Sequence, residues 1–191
     1  AIVEALVYEV RLPRVLLLAL AGAALAAAGV ALQACLQNPL ADPGLLGVSA
    51  GASLGAVAAY ATGLANAFLH SVPLAAFAGS LLAIFLVVIL AHAAGRPTTG
   101  VLLLTGVAVA SLCSALVSVV LVSTGDHRVH EMVAWLLGSV EGRGWPHLRI
   151  SVLPVLAGMA GSASWGSWST RSRSGRSTPS VSASTRSALA P

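Results

Sequence analysis

Apolar residues in this chain do not alternate with polar ones; they run in long blocks divided by short polar breaks. An α-helix rises about 1.5 Å per residue and the hydrocarbon of a bilayer is about 30 Å thick, so about 20 consecutive uncharged residues are needed to cross it. Residues 15–36 supply 22, residues 45–69 supply 25, residues 72–94 supply 23 and residues 101–122 supply 22. Within the second block, Gly63 and Asn66 predict that the helix ends early and a turn follows. A fifth block, 148–161, has 14 residues and contains Arg149 and Pro154, so it begins as a span and stops.

The breaks are sharp. Asn38-Pro39-Leu40-Ala41-Asp42-Pro43-Gly44 carries paired prolines that forbid a continuous helix, and Gly95-Arg96-Pro97-Thr98-Thr99-Gly100 divides the third block from the fourth. Residues 123–146 hold Asp126, Arg128, Glu131, Glu141 and Arg143; within them, 129–140 predicts a short interfacial helix, because Trp135 suits an aromatic belt. Helices in lipid pack closely only where one face carries small residues. Gly47, Gly51 and Gly55 form such a stripe, as do Gly106, Ala110, Ser114 and Ser118. An alanine-rich chain also yields stripes by composition alone. The pattern predicts an all-α polytopic transmembrane bundle with four full spans and a partial fifth.

Composition agrees: 57% of the 191 residues are apolar, 8% are charged and none is lysine, whereas a soluble domain carries about 25% charge. The formal net charge of +4 suggests an acidic partner until its location is considered. Residues 1–161 hold six arginines and six acids, so the whole excess comes from four arginines in 162–191.

Several short patterns invite chemistry. Gly47-Val48-Ser49-Ala50-Gly51 matches the nucleophile elbow of hydrolases, but that motif needs a strand-to-helix turn, and here it opens a membrane span. Leu32-Gln33-Ala34-Cys35 resembles a lipoprotein signal, yet the apolar run before it is too long and further spans follow. Asp126, His127, His130 and Glu131 are weak as a metal site, with no cysteine nearby, and read as a solvated loop. His70, His92 and His147 lie near span ends, where polar tips reach water. Cys35 and Cys113 are expected to be buried as small apolar side chains. No phosphate-binding loop with a lysine is present, so energy for any transport must come from a partner. No enzymatic activity, cofactor or nucleic-acid partner is expected.

Arg11-Leu12-Pro13-Arg14, a span, and then Gln33-Ala34-Cys35-Leu36-Gln37-Asn38-Pro39-Leu40-Ala41-Asp42-Pro43-Gly44-Leu45-Leu46-Gly47-Val48-Ser49 closely resemble the FecCD/BtuC-type permeases of ABC importers for iron-siderophores, haem and vitamin B12. Pro97-Thr98-Thr99-Gly100-Val101-Leu102-Leu103-Leu104-Thr105-Gly106 and Trp135-Leu136-Leu137-Gly138-Ser139 follow in the family's order. The resemblance covers about residues 6–160. It implies about half of a ten-helix permease, with the family's first helix upstream of Ala1 and the four spans as its helices two to five. It also implies a dimer with a second permease subunit, two ATP-binding cassette ATPase subunits, a periplasmic substrate-binding protein and a place in the bacterial inner membrane. Residues 1–14 would be a periplasmic segment leading into the spans, and 15–161 the permease half. Arg96 would lie inside, as the positive-inside tendency prefers. Arg11 and Arg14 would face acidic residues of the binding protein, and Asn38, Leu40, Thr98 and Thr99 would form a cytoplasmic gate.

Residues 162–191 change character, with eleven serines, four arginines and one leucine, and they read as disordered. A Ser/Arg-rich stretch can contact anionic lipid or nucleic acid, so a membrane-anchored binding fragment with a basic tail is the alternative to transport. A frame change explains the tail better. GC-rich codons for residues 169–187, regrouped as the third base of one codon and the first two of the next, permit VDALALGAEHAERLGVDAV. That string resembles the segment with which these permeases engage their ATPase. The expectation is a one-base frame disruption near residue 160, in a chain not functional alone.

Overall fold

The computed structural model describes residues 2–68, 70–95, 97–140 and 142–174. The described residues form helices α1 (Ile2–Ala5), α2 (Leu12–Leu36), α3 (Val48–Ala61), α4 (Ser71–Ala93), α5 (Thr99–Ser123), α6 (Asp126–Leu137) and α7 (Trp145–Ser174). A π-helical segment, Leu6–Arg11, joins α1 to α2, and 3₁₀ turns at Pro43–Leu46 and Leu64–Asn66 flank α3. Among the described residues, three helices are long and apolar enough to cross a membrane: Val3–Leu36, Ser71–Ala93 and Thr99–Ser123.

Pro13 explains the π segment. It has no N–H to close an ordinary turn. The turn ahead of it widens, and Leu12 N–H bonds Val7 O five residues back. Tyr8 O then has neither Leu12 nor Pro13 as a donor, and the Trp145 indole N–H supplies one at 3.1 Å. This bond ties the start of α7 to the segment leading into α2. Residues 1–14, expected as a segment distinct from the spans, are therefore helical from Ile2 and continuous with α2.

The second expected span is shorter than its apolar block. Helix α3 has 14 residues, about 21 Å at the usual rise. Gly63, at φ +79°, turns the chain into the 3₁₀ turn Leu64–Asn66, as Gly63 and Asn66 led one to expect. A short helix with irregular flanks is tolerated at membrane depth where protein surrounds it, and α3 is the centre of the bundle. Ala56, Ala59, Val72 and Ala76 close one part of its core; Val57, Val117 and Met132 close another.

Packing of α3 on α4 is backbone on backbone. A Cβ on Gly51 would lie 2.5 Å from Ala83 Cβ and 2.6 Å from Gly79 O, and one on Gly55 would run into Ala75 O. Only hydrogen fits at either position. Gly47 is buried with φ +76°, its missing Cβ 3.3 Å from Gly106 O, so the turn before α3 rests on α5. The stripe expected on α5 holds at Gly106 and drifts afterwards. Its buried line is Gly106, Val109, Cys113 and Val117, while Ala110 is half-buried and Ser114 is exposed. A strict four-residue step rotates 40° per step around a helix of 3.6 residues per turn, so the face that stays in contact alternates three and four. Cys113 is buried as expected, but Cys35 is exposed on the open side of α2.

Helix α6 starts three residues before the expected one and lays its apolar side on the bundle. Met132 is fully buried between α3 and α5, Trp135 is half-buried, and Arg128 Nη1 donates to Ala61 O at 2.7 Å, closing the end of α3. The fifth block does not stop at 161: α7 passes through Pro154 and continues to Ser174. Residues 162–174 of the tail read as disordered continue α7, and residues 175–191 lie outside the described residues.

Candidate functional site

The polar residues singled out from the sequence fall at two opposite ends of the molecule. At one end, α2 stops at Gln37, whose φ of +50° turns the chain sharply. Asn38 Oδ1 then accepts from Leu40 N at 2.9 Å, and Asp42 Oδ1 accepts from Gly44 N at 2.7 Å, starting the 3₁₀ turn. These side-chain-to-backbone bonds hold a proline-broken loop in one shape. Thr98 Oγ1 accepts from Val101 N at 3.3 Å and caps α5. Thr99 Oγ1 donates to Leu36 O at 3.5 Å, across 63 positions of sequence. That contact brings the loop carrying Asn38 and Leu40 beside the loop carrying Thr98 and Thr99. Asn38 and Thr99 are half-buried, Thr98 is exposed, and Leu40 is 81% exposed, an apolar side chain free to meet another surface. Arg96, expected at this end, lies outside the described residues.

At the other end stand Arg11 and Arg14. The helix from Arg14 to Leu36 separates them from the loops by about 33 Å. Arg11 is exposed; Arg14 is half-buried, with Nε buried and without a hydrogen-bond partner. Pro13 between them is fully buried, which fixes where both arginines leave the backbone. The same end gathers Arg143 and His147 at the start of α7. Burial lowers the His147 pKa first, and the nearby positive groups Arg143 and His70 lower it further. Among the described residues, no three His, Cys, Asp or Glu side chains gather as a metal site.

Sequence reasoning missed three residues that hold this arrangement. Gly79 is the partner of Gly51, and the signal was present: Ala75, Gly79 and Ala83 repeat every four residues on α4. Met132 was hidden because one methionine in an amphipathic helix does not announce its depth. Trp145 has no sequence signal, since its partner is a backbone carbonyl 137 positions away.

Three apolar spanning helices, a central short helix and two polar ends define a multi-pass helical membrane protein. The FecCD transport family model matches residues 1–178, and the chain belongs to that family. It is 40% identical over 155 residues to the "Cobalamin import system permease protein BtuC" of Halobacterium salinarum, covering 81% of this chain and 41% of that protein. It is 39% identical over 155 residues to the "Vitamin B12 import system permease protein BtuC" of Salmonella paratyphi A, covering 80% of this chain and 47% of that one. A solved structure described as a metal-chelate type ABC transporter in an inward-facing conformation superposes with a TM-score of 0.71 at 29% identity, covering 81% of this chain and 48% of that one. The chain thus spans less than half the length of these relatives.

Proposed function

We propose that the chain is permease sequence of an ABC importer whose cargo is a metal chelate, cobalamin first and an iron-siderophore or haem next. The observation that carries this reading is the agreement of sequence and fold: two relatives named as import permeases match four-fifths of the chain, and the solved ABC transporter shares its helix arrangement. Cobalamin comes first because both relatives are named for it. The partners that follow are two ATPase subunits, a periplasmic binding protein and a second permease subunit, in the bacterial inner membrane. This chain supplies the path and hydrolyses nothing itself.

In this reading the loops with Asn38, Leu40, Thr98 and Thr99 form the cytoplasmic gate. The Thr99–Leu36 contact supports that role because it sets the start of α5 beside the end of α2, next to which the two loops lie. Arg11 and Arg14 face outward and receive the binding protein. Exposed charges of this kind steer and orient docking more than they add affinity. In an intact permease carrying these residues, Arg11→Glu with Arg14→Glu is expected to weaken docking of the binding protein about tenfold or more at low salt, measured by surface plasmon resonance. Docking that is unchanged at low salt refutes the assignment.

The tail is proposed to be out of frame from about residue 160, and the chain alone is proposed not to transport. The abrupt turn to serine and arginine and the permitted alternative reading support this. Resequencing the DNA across codons 155–191 tests it: a frame running intact through the serines refutes it.

A further inference from the structure

The bond from the Trp145 indole N–H to Tyr8 O, at 3.1 Å, joins the first residue of α7 to a backbone that Pro13 has disturbed. In a continuous α-helix the Pro13 ring would strike the carbonyl of Glu9, four residues earlier, and the proline has no N–H to offer it. The chain ahead of Pro13 therefore has two courses: it widens into a π turn, or it breaks. It takes the first course over Leu6–Arg11. π-Helical turns are rare and gather at functional sites. Here the turn leaves one carbonyl, Tyr8 O, whose helical donors are committed or missing: Leu12 N–H goes to Val7 O, and Pro13 has none. The indole N–H fills that place. Trp145 is itself held in position. Gly144 O accepts from His147 N at 3.1 Å and from Leu148 N at 3.2 Å, which forms the first turn of α7 around Trp145, and Leu148 is buried.

The π turn decides where Arg11 points. An extra residue in a helical turn rotates everything ahead of it by about 100° relative to an unbroken α-helix. Arg11 is the last residue of the π segment, and Arg14 lies past Pro13 in α2. Packing fixes Arg14, which is half-buried and follows the fully buried Pro13. Arg11 is exposed, so its direction follows the backbone turn that it ends. We propose that Trp145 is a positioning residue for the arginine pair: its N–H holds the turn π-helical and so fixes Arg11 relative to Arg14. This rests on the docking role proposed for the two arginines, and it names the residue through which α7 acts on that site. Losing one hydrogen bond of this kind shifts a two-state balance about fivefold.

The test reads the direction of position 11 in the 191-residue chain in vesicles, with Cys35 and Cys113 replaced by serine. Nitroxide labels at Arg11→Cys and at the exposed Leu25→Cys lie across about 21 Å of helix. Pulsed electron paramagnetic resonance is expected to give one narrow distance, and Trp145→Phe to broaden it or add a second. Pro13→Ala removes the ring and restores the N–H, so that Leu12 N–H reaches Tyr8 O in an ordinary turn. In that background Trp145→Phe is expected to change nothing, whereas a tryptophan that merely supports the fold acts alike in both. Far-ultraviolet circular dichroism confirms that each variant remains helical. In an intact permease carrying these residues, Trp145→Phe is expected to weaken docking of the binding protein about fivefold by surface plasmon resonance, with no further loss when added to Pro13→Ala. The proposal is overturned by distances that Trp145→Phe leaves unchanged, or by equal broadening in the Pro13→Ala background. It is overturned also by docking that Trp145→Phe leaves unaltered while Arg11→Glu with Arg14→Glu weakens it. If that charge reversal leaves docking unaltered too, the docking role fails, and the positioning stands or falls on the distances.

Discussion

Helices α3, α4 and α5 touch through glycine and alanine backbones, whereas α2 and α7 meet around a cavity and leave buried nitrogens unpartnered. The difference shows in burial: none of the most apolar stretch of the helix containing α2 is buried, against 22% in α4 and in α5. Yet the α2 helix is among the most apolar segments of the chain. Hydropathy therefore says that a segment enters lipid, and only residue size along its face says what it packs against. Gly22 and Gly29 of α2 have nothing within 4 Å of a missing Cβ, while Gly51 and Gly55 of α3 have no room for one. The same residue type, equally spaced, is tightly packed in one region and unpartnered in the other.

This contrast can be broken by substitution. Gly51→Val is expected to be the most damaging change, destabilising by about 3 kcal/mol or more, because the Ala83 Cβ and the Gly79 backbone have no alternative position. Thermal unfolding of the purified chain in a mild detergent measures it. Met132→Ala follows, at about 2–4 kcal/mol, through the cavity it opens between α3 and α5; the same melts read it. Trp145→Phe removes the donor to Tyr8 O and is expected to cost about 1 kcal/mol. Its effect should appear as faster hydrogen exchange at the starts of α2 and α7, with α3 to α5 unaltered. Gly22→Ala in α2 is the smallest, neutral or stabilising by up to about 1 kcal/mol, since it adds helix propensity in open space. If Gly22→Ala and Gly51→Ala destabilise equally, the two regions do not differ as described.

The chain's spans were readable wherever an uncharged block had a sharp end. The expected 72–94 and 101–122 became Ser71–Ala93 and Thr99–Ser123, and Asp42 and Thr98 stand at the helix starts that their side chains cap. The reading failed where helix length is set by tertiary packing. Residues 45–69 look like a full span, but Gly47 and Gly63 adopt positive φ and leave 14 residues of α helix between the flanking turns. It failed also at the fifth block, where its 14 residues with Arg149 and Pro154 suggested a stop and the helix continued. Around the residues proposed as a gate, local signals showed that both loops are irregular. That Thr99 reaches Leu36 is a long-range fact with no local trace, and the joining of the two loops became visible only in three dimensions. The cavity between α2, α4 and α7 was illegible for the same reason: His70 and His147 each read as a polar tip at a span end and Arg143 as a loop charge, and only the fold brings them together.

The loops with Asn38, Leu40, Thr98 and Thr99 stand at one end of the bundle and Arg11 and Arg14 at the other, and in the proposed function the membrane lies between them. Cysteine labelling in intact spheroplasts tests it most directly, in a background with Cys35 and Cys113 replaced by serine. Arg11→Cys and Leu40→Cys, both at exposed positions, are treated with a membrane-impermeant maleimide before and after permeabilisation. Arg11→Cys is expected to react from outside and Leu40→Cys only once the membrane is opened. Labelling of both positions from the same side contradicts it.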